Sequence, residues 1–219
     1  MVSKRKLHQL ERALTKVYLN IFDDIQKDER YPNDLLFLQQ KYGKLVYDNT
    51  RSAVQQAVML GIEYVNRKTR TEPYLTAKDI ELIEKNTAEQ VASFWRKIAL
   101  EIKAQREAQL RLELMGAGIR DFLNATAISS VFSSVADAIV SKLGQLRDVL
   151  IGQDIPKAQV TWVAMRDEKT CHVLPNGNPG CASLDGQVFD YDDPNIPVPG
   201  RLGFDGTHPY CRCMIEPLI

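Results

Sequence analysis

The sequence predicts an α+β fold: a long-helix N-terminal bundle or arm with a small Cys/His-stapled α+β C-terminal domain. Three observations predict it. Pro32 and Pro73 are the only prolines in residues 1–150, whereas eight of the ten prolines and seven of the twelve glycines lie in residues 151–219. All four cysteines also lie in that second part. Apolar residues recur at helical spacing in the first part and alternate loosely in the second, which marks a change of architecture. Charge divides at the same boundary: 23 Lys/Arg against 19 Asp/Glu before it (+4), and 5 against 9 after it (−4).

The helices follow in order. Leu7, Leu10, Leu14, Val17, Tyr18, Ile21 and Ile25 predict an amphipathic helix ending before Arg30-Tyr31-Pro32. Pro32 disfavours helix at the residue before it. Asn33 is the expected cap of a second helix, with Leu36, Leu45, Val46, Val54, Val58, Ile62 and Val65 as its apolar positions. Arg67-Lys68-Thr69-Arg70 and Pro73 close it. Thr76-Ala77-Lys78-Asp79 reads as a capping box with Asp in place of Glu. The third helix carries Ile80, Ile83, Val91, Phe94, Trp95, Ile98 and Ile102, runs to about Met115, and stops at Gly116-Ala117-Gly118. Ile119 to Leu150 reads as one or two further helices, with Ser129-Ser130 and Ser133-Ser134 as the places where a break would fall if there are two. Such lengths, about 25–40 residues, exceed the mean of ~11–12 in compact domains and predict an extended bundle or coiled-coil-like arm. Much polar surface is then left for partners.

After residue 150 the period shortens. Residues 158–165 alternate loosely and include Val160, Thr161, Trp162 and Val163, which predicts a strand with Trp162 in the core. Gly186 to Tyr191 is a second short strand, and Cys213 to Pro217 a terminal one. Pro194, Pro197, Pro199 and Gly200 force an irregular loop between them.

Cys171, Cys181, His208, Cys211 and Cys213 are the most informative residues, with His172 beside the first. Zinc takes four tetrahedral thiolate or imidazole ligands, usually as two short-spaced pairs. His208-Pro209-Tyr210-Cys211 is a suitable half-site. The turn-rich stretch Pro175-Asn176-Gly177-Asn178-Pro179-Gly180 can loop out and return Cys181 near Cys171. The expected metal ligands are therefore Cys171, Cys181, His208 and Cys211, with Cys213 the main rival for a place. The same cysteines are compatible with disulfides, in three connectivities, or with free thiols. A zinc deaminase requires H-x-E and P-C-x-x-C, and neither occurs. A Cys–His nucleophile is weakly supported, since one conspicuous histidine among four cysteines reads first as ligand or staple. An enzyme is not expected.

The cysteine-rich segment resembles the C-terminal domain of the phage Mu F-like head morphogenesis proteins, the minor capsid or minor head proteins of tailed phages. The matching residues are Trp162, Arg166 to Cys171, Cys181-Ala182-Ser183-Leu184-Asp185-Gly186-Gln187-Val188-Phe189, Pro197, Pro199, and His208-Pro209-Tyr210-Cys211-Arg212-Cys213. The family's two early cysteines are usually two residues apart; here nine residues lie between Cys171 and Cys181. The resemblance covers about residues 158–217 and makes 151–219 a Mu F-like cysteine-rich domain carried on a helical region, 1–150. It implies a protein of the virion head, made in the host cytoplasm and oligomeric in an assembly. Its partners would be a portal protein and other head proteins, and its roles head assembly and DNA packaging or ejection. The alternative is a zinc-stapled DNA-binding module, with packaged DNA as a further partner of the +4 helical region.

Other features bound these expectations. With 44% hydrophobic and 26% charged residues, disorder is excluded as the main state. Zero net charge excludes a wholly basic nucleic-acid binder but not a local basic patch. No apolar run approaches the ~20 residues that span a bilayer, so no membrane is expected. The basic start lacks the apolar core of a signal peptide, so export by a cleaved signal is not expected. Lys4-Arg5-Lys6 and Arg67 to Arg70 read as solvated helix ends before they read as phosphate contacts. Asp190, Asp192 and Asp193 lack the Gly and Glu spacing of a calcium loop. Arg212 is expected to pair with Asp167 or Asp185 and fix the knuckle.

Overall fold

The computed structural model describes residues 3–70, 74–108, 116–149, 158–166, 180–193, 196, 199 and 211–218. It is mostly helical, with one small sheet near the C-terminus. The elements run α1 (Lys4–Gln26), α2 (Leu35–Thr69), α3 (Ala77–Ala108), α4 (Gly116–Val149), β1 (Gln159–Val163), α5 (Cys181–Leu184), β2 (Val188–Asp190) and β3 (Met214–Leu218). Lys4, Arg5 and Lys6 open α1, against the helix dipole, whereas Arg67 and Lys68 close α2, where cations suit it.

α1 buries Leu7, Leu14, Tyr18, Ile21, Phe22 and Ile25, the stripe expected from its spacing, together with Glu11. It ends at Gln26. The second helix starts one residue later than expected, because Asn33 is used in the preceding turn, donating its backbone N–H to Arg30 O at 2.7 Å. Asp34 caps instead, its Oδ1 accepting from Phe37 N at 2.9 Å. An anionic cap also suits the positive end of the helix dipole.

The capping box of α3 forms as read. Asp79 N donates to Thr76 Oγ1 at 3.2 Å, and Thr76 N donates to Asp79 Oδ2 at 2.8 Å. Asp79 is buried and is also tied to α4: Gln145 Nε2 donates to Oδ1 at 2.9 Å, and Lys142 Nζ lies 3.9 Å from Oδ2. One motif thus starts α3 and pins that start to its neighbour.

α4 corrects one expectation and decides another left open. Gly116 to Gly118, expected as a stop, lie in the first turn of this helix, and residues 109–115, over which α3 was expected to continue, lie outside the described residues. Glycine is costly in a helix interior and far less so in the first turn. The serine pairs do not interrupt α4. Ser130 Oγ donates to Thr126 O at 2.8 Å and Ser133 Oγ to Ser129 O at 2.7 Å, so these hydroxyls are satisfied within one continuous helix.

α4 also passes the length and hydropathy test of a membrane span over Gly118–Arg147, contrary to the expectation that no run would. That window is 83% buried inside the protein. The helix packs on α1, α2 and α3, so its apolar surface is the centre of the fold. α2 approaches it closely at Gly61, where an added Cβ would stand 2.8 Å from Ala138 Cβ and Val135 O. Gly→Ala in a helix normally gains ~1 kcal/mol, but overpacking against backbone costs ~1–3 kcal/mol. Gly61→Val, larger still, is expected to lower the urea midpoint of unfolding, and an unchanged midpoint would show that α2 and α4 are free to part.

The sheet is antiparallel with order β2-β1-β3. Val160 pairs with Phe189 and Pro217, and Trp162 with Ile215. Period-two alternation buries Val160 and Trp162. They share one core with Leu7, Tyr64, Ile128, Phe132 and Leu143, so the sheet is floored by the helices. The three strands match their expected positions within a few residues. The proline-bearing loop lies mostly outside the described residues.

Candidate metal centre

Cys181 is the first residue of α5, directly after Gly180. Cys211 and Cys213 precede and adjoin β3. In extended chain, residues i and i+2 face the same way. C-x-C therefore presents two thiols to one side and turns Arg212 to the other.

The three sulfurs converge on one buried point. Cys181 Sγ and Cys211 Sγ are 3.7 Å apart, and the sulfurs of Cys181, Cys211 and Cys213 all lie within 4.8 Å of one another. All three residues are buried and none is in a disulfide. A disulfide would need ~2.05 Å. Two thiolates on a tetrahedral zinc at ~2.3 Å stand ~3.8 Å apart, close to the observed separation. The donor set therefore fits three corners of a zinc site.

The electrostatics fit the same reading. The hydrogen bonds that the Cys181 thiol donates to Cys211 and Cys213, then burial, push it far up. At Cys213 the contact with Cys181 lowers the pKa, but the Cys211 hydrogen bond and burial outweigh it and raise the thiol to about 12. A backbone hydrogen bond from Met165 favours the Cys213 thiolate. Three thiolates cannot share a buried site unless a cation compensates them, and a bound divalent ion inverts this balance.

A pH dependence follows for protein stripped of metal. Unfolded thiols titrate near ~8.5, below the folded value for Cys213. The folded state then holds a proton that the unfolded state has lost. Stability is full below ~8.5 and is lost as pH rises toward 12. Stripped protein is expected to melt progressively lower between about pH 8.5 and 10.5, whereas zinc-loaded protein, whose thiols are already deprotonated, holds its melting temperature. Parallel melts that coincide would contradict this.

Of the four expected ligands, Cys181 and Cys211 are brought together; Cys171 and His208 lie outside the described residues, as does His172. Cys213, the rival, takes a full place beside them. Of the two carboxylates expected to pair with Arg212, the described residues test one. Arg212 does not pair with Asp185, and Asp167 lies outside the described residues. Its guanidinium grips Glu11 on α1, with Nε 2.9 Å from Oε2 and Nη2 2.7 Å from Oε1. Asp185 is already engaged: Oδ1 accepts from Ala164 N at 2.9 Å, and Oδ2 from Arg166 Nη2 at 2.6 Å. These contacts, the backbone one first, hold its carboxyl below the usual range.

Glu11 was missed as a site residue. The signal was present: it sits four residues after Leu7 and three before Leu14, on the apolar stripe of α1. A carboxylate there is buried and needs a cation. Two carboxylates of the acidic trio are engaged by the protein's own donors. Gln159 Nε2 donates to Asp190 at 3.2 Å and Arg147 Nη1 to Asp192 at 3.0 Å. Compared with protein-family models, curated proteins and solved structures, the chain matches none.

Proposed function

We propose that the chain is a minor head protein of a tailed virus or prophage. It docks on a portal and neighbouring head proteins through its long helices, and acts in head assembly and DNA packaging or ejection. It carries no catalytic site. Its C-terminal segment is a zinc staple held by Cys181, Cys211 and Cys213, with the fourth ligand from Cys171 or His208.

One observation supports this reading above the others. Among the described residues, the motif's thiols and its charged side chains Asp185 and Arg212 are engaged in holding the fold. The thiols face one another, Asp185 clamps the turn after α5 to the end of β1, and Arg212 ties the knuckle to α1. Such a set resists unfolding, and the cysteines among the described residues are all buried. A small cross-linked sheet seated on a long helical body suits a part that must survive in a pressurised particle.

Co-expression with the portal protein encoded in the same genome tests the reading. The expected result is co-elution of the chain with portal rings on size exclusion and co-sedimentation with them. A chain that elutes as a monomer and never travels with the rings would refute it.

A further inference from the structure

We propose that the groove between α1 and α4 is a binding site for the phosphate backbone of nucleic acid, read by Arg12 and Lys16. The groove has a volume of about 510 Å³. Its cations are Arg12, Lys16, Arg120 and Arg212, and its carboxylates Glu11 and Asp23, which leaves a net charge of +2.

That excess is located. Arg120 is paired with Asp23, and Arg212 with Glu11. Arg12 and Lys16 are exposed, and among the described residues neither has an ion-pair partner. They stand four residues apart on one helix, which places both on one face about 6 Å apart along the axis.

The rest of the lining selects the occupant. Thr15, Asn20 and Asn124 are neutral hydrogen-bonding groups, and Leu19 is the one apolar side chain. Thr15 Oγ1 donates to Asn124 Oδ1 at 3.0 Å, which fixes the floor and leaves the amide nitrogen of Asn124 as a donor. Arginine, lysine, threonine and asparagine are the groups that contact phosphate and sugar without reading bases. A protein partner would need an apolar anchor at the centre of its interface, and this groove offers none of size. The site is distinct from the basic runs at Lys4–Lys6 and Arg67–Arg70, and its charge does not depend on whether the chain binds a portal.

Anisotropy of a labelled mixed-sequence DNA duplex, measured on the zinc-loaded full chain across salt, tests the proposal. Each cation that contacts a phosphate contributes about one to the slope of log K against log salt. R12Q/K16Q is expected to weaken binding at least tenfold at low salt and to flatten the slope by about two. R67Q/K68Q, which removes the same charge from the end of α2, is expected to change neither. Both pairs are surface changes, and equal melting temperatures confirm that folding is intact. The proposal is overturned if wild-type protein fails to bind at low salt, or if the two pairs lose affinity equally. A poly-glutamate peptide that binds as tightly as the duplex would reassign the groove to an acidic protein and overturn it as well.

Discussion

Arg212→Ala is expected to destabilise the protein by about 3–5 kcal/mol, read as a fall in the urea midpoint. Glu11 is only 4% exposed, and the Arg212 fork is its strong partner. Removing the guanidinium strands a carboxylate between α1 and the sheet. His8 Nδ1, 3.3 Å from Oε2, offers one contact where Arg212 offers a bidentate pair. The cost is therefore that of an uncompensated buried charge rather than of a lost surface ion pair, which is worth ~0–1 kcal/mol. Replacing both partners removes the stranded charge. Glu11→Met combined with Arg212→Met is expected to recover most of the loss, since apolar residues of similar volume often substitute for a buried pair without penalty. Additive losses in that cycle would mean that the two side chains do not interact.

Cys213→Ala is expected to abolish high-affinity zinc binding, with a loss of at least 100-fold in chelator competition, and to lower the melting temperature of zinc-loaded protein to that of the stripped form. Structural zinc contributes its binding free energy directly to folding, so loss of one thiolate outweighs the small change in packing. Cys181→Ala and Cys211→Ala are expected to behave alike. The comparison decides between two ligand sets. A fourfold site of Cys171, Cys181, His208 and Cys211 leaves Cys213 a bystander, and its alanine variant would then bind zinc normally. A site that includes Cys213 fails when it is removed. The convergence of the three sulfurs, all within 4.8 Å of one another, favours the second.

Much of the fold was legible in the sequence, because its signals are local and periodic. The stripe of α1 from Leu7 to Ile25, the box at Thr76–Asp79 and the alternation around Trp162 each depend on a few neighbouring residues. Helix boundaries were less legible where two residues competed for one role, as Asn33 and Asp34 did for a cap. The serines of α4 left one helix or two undecided, because their propensity to break helices reverses once the hydroxyl bonds the carbonyl four residues back. Long-range partners were the least legible. Arg212 and Glu11 lie 201 residues apart in sequence, and nothing near Arg212 announces α1. The thiol cluster was legible as residue types but not as a set. Strand alternation, which gives Cys211 and Cys213 one facing, was the clue to including Cys213.

Zinc-edge X-ray absorption on the purified full chain, with metal content measured on the same sample, tests the metal staple most directly. The account predicts zinc near one per chain, bound by at least three sulfurs at ~2.3 Å. Protein that holds no zinc, or zinc ringed mainly by nitrogen and oxygen, would contradict it.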